Sequence, residues 1–169
     1  MKTPVFGIVA LVGLWSILST LSTPNPVPIL PNPKLTPGDR LAVTAMDVCS
    51  HSYSLRSRNV TASEKRKVFV LYGMTPTKHP DMEVDHATSL CLGGSNSLKN
   101  LWPQPMHLNV NGFDLGAVTK DLAENATHKA VCEDRITLAE AQRQEMADWR
   151  VLYVRFVSPS FPKYQATHR

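Results

Sequence analysis

The side chains best suited to chemistry in this 169-residue chain crowd into one stretch. It reads Glu83-Val84-Asp85-His86, then Leu90-Cys91-Leu92-Gly93-Gly94-Ser95-Asn96, then Lys99-Asn100-Leu101-Trp102-Pro103. Asp85 and His86 are neighbours, so on a strand they face opposite sides and would do different jobs. A carboxylate on one side can hold a hard divalent cation, and an imidazole on the other can take a proton near neutral pH. A turn brings Asn100 back within reach, where its amide can fix a loop or orient the imidazole. Each residue also has a plain structural reading: His86 as a satisfied core histidine, Asp85 as the partner of a local cation, Asn100 as a turn residue.

The elements that must position these groups follow from pattern. Residues 82–92 alternate imperfectly and run apolar before the glycine pair, which reads as strand, turn, strand. Leu101-Trp102 would begin the second strand, stopped by Pro103 and Pro105. Residues 106–116 are loop-like, with Gly112 and Gly116 as turn points. A helix over 117–130 places Val118, Leu122 and Ala126 on one stripe, with Asp114 as a candidate cap. Thr137 to Glu140 forms a capping box with Ile136 as its staple. The stripe Ala141, Glu145, Trp149, Leu152, Tyr153, Phe156 then defines a long helix ending by Ser158-Pro159, with Glu145 its one polar interruption. Residues 63–72 leave the choice open: Ser63-Glu64-Lys65-Arg66 suits a helix, while the β-branching of Val68 and Val70 argues for a strand.

Lys+Arg 18 against Asp+Glu 14, with 43% hydrophobic residues, is ordinary for a folded protein. A disordered chain and a polytopic membrane protein are both disfavoured. After Lys2 the next charge is Lys34, and Val5 to Leu21 is almost wholly apolar, so residues 1–22 read as a secretory signal peptide. A secreted or periplasmic protein with no stable membrane insertion after signal removal is expected; the alternative is a retained N-terminal anchor. Residues 23–40 carry Pro24, Pro26, Pro28, Pro31, Pro33 and Pro37, an extended tether or wrapping arm. A domain over 41–158 and a tail over 159–169 complete the organisation. From His51 to His79, Arg56, Arg58, Lys65, Arg66, Lys67 and Lys78 face Glu64 alone, more positive than the chain's net +4. Such a run is either a solvated face or a track for a phosphate backbone. Cys49, Cys91 and Cys132 lack the CxxC spacing of a structural zinc site. After export, one disulfide plus one thiol is natural. Cys91 lies in an apolar run and reads as a small hydrophobe, leaving Cys49 with Cys132; three unpaired thiols are the alternative.

The motifs Val84-Asp85-His86, Leu92-Gly93-Gly94-Ser95-Asn96 and Asn100-Leu101-Trp102-Pro103-Gln104-Pro105 resemble those of small secreted HNH endonucleases. The likeness extends through Lys120-Asp121, Glu124, His128, Val131-Cys132, Ala141-Gln142 and Asp148-Trp149, and back to Cys49 and Tyr53. It implies an α+β fold with an HNH-type ββα-metal core and additional helices. It implies metal-dependent hydrolysis of nucleic acid, DNA with low sequence specificity, with a catalytically weakened binding or structural protein on the same scaffold as the alternative. His86 would be the general base, Asn100 the residue constraining the loop and orienting it, and Asp85 a ligand of one divalent ion, Mg²⁺ before Mn²⁺, Ni²⁺ or Zn²⁺. The chain departs from the pattern at the third position. Gly116 stands where relatives often have Asn, so His107, Asn109, Asn111 and Asp121 all compete to be the further ligand. The Cys49–Cys132 pairing is also reinforced by the resemblance.

Overall fold

The computed structural model describes residues 28–75 and 79–159. The signal segment, the first part of the arm and nearly all of the tail lie outside the described residues. In chain order the elements are helices α1 (Ala45–Val48), α2 (Tyr53–Ser57) and α3 (Ala62–Leu71), strands β1 (Met82–His86), β2 (Leu101–Pro105), β3 (Asn109–Val110) and β4 (Phe113–Asp114), then helices α4 (Ala117–Cys132) and α5 (Leu138–Phe156). The architecture is mostly helical, with two separate two-stranded sheets, β1-β2 and β3-β4. This corrects the expected α+β fold built on a ββα-metal core.

Local chemistry accounts for the elements. In the 63–72 segment the helix prevails over β-branching because Thr61 and Glu64 form a reciprocal capping box. The Thr61 hydroxyl accepts from the Glu64 amide (3.2 Å), and the Glu64 carboxylate accepts from the Thr61 amide (2.7 Å). Strand β2 continues through both prolines that were expected to stop it. Ladder bonds from Ala87 N to Asn100 O and from Met106 N to Asp81 O set the bonded pairs at Asp85–Trp102 and Glu83–Gln104. Pro103 and Pro105 therefore occupy non-hydrogen-bonded positions, where a missing N–H costs nothing. The loop-like stretch after β2 holds a hairpin. Asn111 and Gly112 both have positive φ (54° and 85°), the two-residue turn that Asn-Gly favours. Asp114 braces this hairpin through Leu108 N and Gly116 N (both 2.9 Å) instead of capping α4, whose N-cap is Gly116.

Helices α4 and α5 form the main packed pair. One core cluster joins Val48, Leu92, Ala130, Val131, Ile136, Ala141 and Leu152; another gathers Leu115, Ala123 and Trp149. The inward face of α4 is not the expected stripe, since Val118 and Leu122 are exposed. It carries Ala117, Thr119, Lys120, Ala123, Thr127, Ala130 and Val131. Small residues let the β1-β2 ribbon and α5 approach closely, and a lysine lies among them. Helix α5 breaks at Asp148 (φ −169°, ψ 99°), whose carboxylate receives the Arg150 amide (3.0 Å) and guanidinium (2.7 and 2.6 Å) and restarts the helix. The Cys49–Cys132 disulfide ties the end of α1 to the end of α4.

The described part of the proline-rich segment is a wrapping arm. Thr36 is fully buried, its hydroxyl bonded to Leu101 O (2.9 Å) and the Tyr72 hydroxyl (2.7 Å). Gly38 N donates to Lys99 O, and Leu41 N to Gly93 O (both 2.9 Å). Ile29 and Leu30 reach the Trp149 cluster. Thr36→Val leaves the Leu101 carbonyl and the Tyr72 hydroxyl without this partner, so urea unfolding should show a loss of about 1–3 kcal/mol. An unchanged midpoint would mean that the Thr36 hydroxyl contributes nothing to stability.

Candidate functional site

The turn between β1 and β2 is set by close packing. Gly94 has no room for a Cβ, which would lie 1.8 Å from Thr88 O. Asn100, fully buried, clamps the same turn with its whole amide. Its Oδ1 accepts from Thr88 N (2.8 Å), and its Nδ2 donates to Thr88 O and Ser95 O (both 2.9 Å). Both its amide hydrogens are spent on this turn, and none of these bonds goes to His86. The bond to His86 comes instead from Asn96, a motif residue with no role assigned from the sequence. Asn96 Nδ2 donates to Ser57 O (2.7 Å), leaving Oδ1 to accept from His86 Nε2 (3.0 Å). The hydrogen of His86 is thus on Nε2. Burial pulls the imidazole below its usual range, partly opposed by the Asn96 bond and Asp85, which keeps it neutral.

Below β1 the side chain rising from α4 is an ammonium. Lys120 is 1% exposed, and its Nζ donates to Asp85 Oδ2 (2.7 Å), His86 O (2.9 Å) and Glu124 Oε1. Three donors meet three acceptors. Burial alone would lower the lysine's pKa, but the charges of Asp85, Glu124 and Glu145 hold it well above the ordinary value. Glu145 lies buried on α5 and accepts from Ser89 N (3.0 Å). A cleft of about 240 Å³ opens over this layer, lined by Arg58, Glu83, Asp85, His86, Asp121 and Glu124 among others. Burial raises the carboxyls of Glu83, Asp121, Glu124 and Glu145; the neighbouring charge of Asp85 adds to each, and Lys120 opposes it.

Of the residues expected to share a metal, Asp85 and Asp121 line the same cleft, and the others lie elsewhere. His107 is exposed and pairs through Nδ1 with Asp114 (2.6 Å). Asn109 sits in β3 and accepts from Gly112 N (3.0 Å), while Asn111 forms the hairpin corner. Asp85 already holds the Lys120 ammonium on Oδ2 (2.7 Å), a charge it shares with Glu124. Among the described residues, the group whose ligand atoms gather closely enough for a metal is Cys49, His128 and Cys132, within 4.8 Å of one another, and its sulfurs are joined as a disulfide. The expectation of an HNH endonuclease, of its Mg²⁺ or other divalent cofactor and of metal-dependent phosphodiester hydrolysis is corrected on these grounds. No family model, no curated protein and no solved structure matches the chain.

The basic set is divided. Arg56 bonds back to His51 O and Ser50 Oγ, and Arg58 stands at the cleft. Arg66 and Lys67 flank a shallow apolar groove with Val70, Leu71 and Leu98. Cys91 packs against the α1–α4–α5 cluster as a small hydrophobe, its thiol pushed up by burial. No helix among the described residues is long and apolar enough to cross a membrane.

Two outcomes follow. Lys120→Met leaves Asp85 and Glu124 without their cation and should cost about 3–5 kcal/mol in urea unfolding, the range for breaking a buried ion pair from one side. A loss below 1 kcal/mol, read against that same range, would remove Lys120 from its organising place. The second concerns pH. A carboxyl whose folded pKa is raised stabilises the fold less as pH climbs from its unfolded value through its folded one. The stability of the native chain relative to Glu124→Gln should therefore rise as pH falls from 7 toward 4.5. The comparison cancels His86, whose lowered pKa works in the opposite direction. A flat difference would show that Glu124 is not raised.

Proposed function

We propose that this chain is a non-catalytic exported protein that holds nucleic acid, DNA in the first instance, by its phosphate backbone along the basic α2–α3 segment. The observation that carries the reading is the separation of charge. Arg56, Arg58, Lys65, Arg66 and Lys67 are all exposed, whereas Glu83, Asp85, Glu124 and Glu145 are drawn inward around Lys120. A polyanion is drawn to these exposed cations, Arg58 among them although it also lines the cleft. Binding of this kind reads charge and spacing rather than bases. Export is supported by the apolar segment after Lys2 and by the disulfide, which suits an oxidising compartment. The secreted or periplasmic location belongs to this same proposal.

Fluorescence anisotropy with a short labelled DNA duplex tests it. If all of the basic residues named above neutralise phosphates, log K should fall against log salt with a slope of about −4 to −5. Reversing Lys65, Arg66 and Lys67 to Glu should weaken binding at least about tenfold and flatten the slope by about 3. Supercoiled plasmid incubated with the protein and Mg²⁺ should stay intact. Binding untouched by the charge reversal, or nicking of the plasmid, would overturn the reading.

A further inference from the structure

The disulfide does not sit alone. Cys132 closes the last turn of α4 and is exposed, and His128 lies one turn earlier, so its ring covers the sulfur. His128 Nε2 is 3.0 Å from Val48 O and 3.5 Å from Cys132 Sγ. A carbonyl only accepts, so the hydrogen is on Nε2, poised between that oxygen and the sulfur. Cys49 follows Val48 directly, which brings both sulfurs and the imidazole within 4.8 Å. The bond to Val48 O accounts for the ring's place at the end of α1, and the same hydrogen also lies within reach of a sulfur. A donor there bears on exchange, because its rate depends on how well the departing thiolate is stabilised.

We propose that Cys49, Cys132 and His128 form a thiol–disulfide exchange site for a small-molecule thiol. The incoming thiolate attacks Cys49 Sγ and forms a mixed disulfide there. The Cys49–Cys132 bond breaks, and its electron pair leaves on Cys132 Sγ. The Nε2 hydrogen turns from Val48 O to this thiolate and stabilises its charge by donating to it. The incoming thiol is oxidised and Cys132 reduced. A second equivalent of thiolate attacks the mixed disulfide, releases the dimeric small-molecule disulfide and leaves Cys49 reduced. The direction of attack is set by geometry, since Cys132 is the sulfur beside the donor and so the better leaving group.

Reduced glutathione is the probe. The full chain is incubated with it, quenched in acid, alkylated and mapped by peptide mass spectrometry. Glutathione should appear on Cys49 with Cys132 alkylated, at a rate about tenfold above that of His128→Gln, the scale of leaving-group stabilisation. The two oxidised proteins are first matched by thermal unfolding. Glutathione on Cys132, or equal rates in the two proteins, would overturn the assignment. Should His128→Gln fail to fold, the label position in the native chain still decides.

Discussion

Burying an ammonium without acceptors costs several kcal/mol, so wherever Lys120 goes, the surrounding chain must supply oxygens. It does so from three places: the Asp85 carboxylate and the His86 carbonyl on β1, and the Glu124 carboxylate one turn along α4. These contacts fix the distance and rotation of α4 against the β1-β2 ribbon. The face of α4 around the lysine is built of Ala117, Thr119 and Ala123, small enough for the ribbon to come close. Glu145 extends the charge layer to α5 and holds the turn after β1 through Ser89 N. Ribbon and both long helices thus meet on one polar layer, with apolar clusters lying beyond it.

That layer decides what the cleft above it can do. A carboxylate facing a cleft is open to a cation only while it lacks one. Asp85 has its counter-charge from inside the protein, and the remaining cleft acids have raised pKa values because burial disfavours their ionised forms. His86 is neutral and gives its Nε2 hydrogen to Asn96. Asp85, His86 and Asn100 thus each make a bond that holds the fold. The exposed cations of α2 and α3, by contrast, keep their charge facing solvent.

What was legible in the sequence is what local chemistry dictates. The β1-β2 hairpin, the span of α4, the Thr137 cap and the Cys49–Cys132 pairing could all be read from short-range pattern or simple elimination. Local pattern misleads where a distant partner decides. Apolar i, i+4 spacing on α4 selects Val118, Leu122 and Ala126, and nothing local announces the acceptors that bury Lys120. The prolines of β2 were read as stops because hydrogen-bond parity is a property of the paired strand. Two signals were present and passed over: Asn111-Gly112, the strongest short hairpin signature, and the i,i+4 pair Lys120–Glu124. The metal expectation fell for the same reason as the stripe, since four candidate ligands in sequence say nothing about which of them meet.

The placement of the disulfide follows from the same architecture. Helix α1 has only four residues, too short to hold itself, since a helix of that length satisfies almost none of its own backbone groups. Three things hold it: the Thr44–Asp47 capping box, Val48 in the α1–α4–α5 cluster, and the bond from Cys49 to the end of α4. His128 adds a fourth by donating to Val48 O, the last carbonyl of α1, so one imidazole caps a helix end and covers a sulfur at once. Opening the disulfide would leave α1 with its cap and its one buried valine, since the His128 hydrogen turns to the sulfur. The Lys120 layer, which involves neither cysteine, would remain intact. A change at this edge can therefore proceed while the packed α4–α5 pair and the ribbon stay folded.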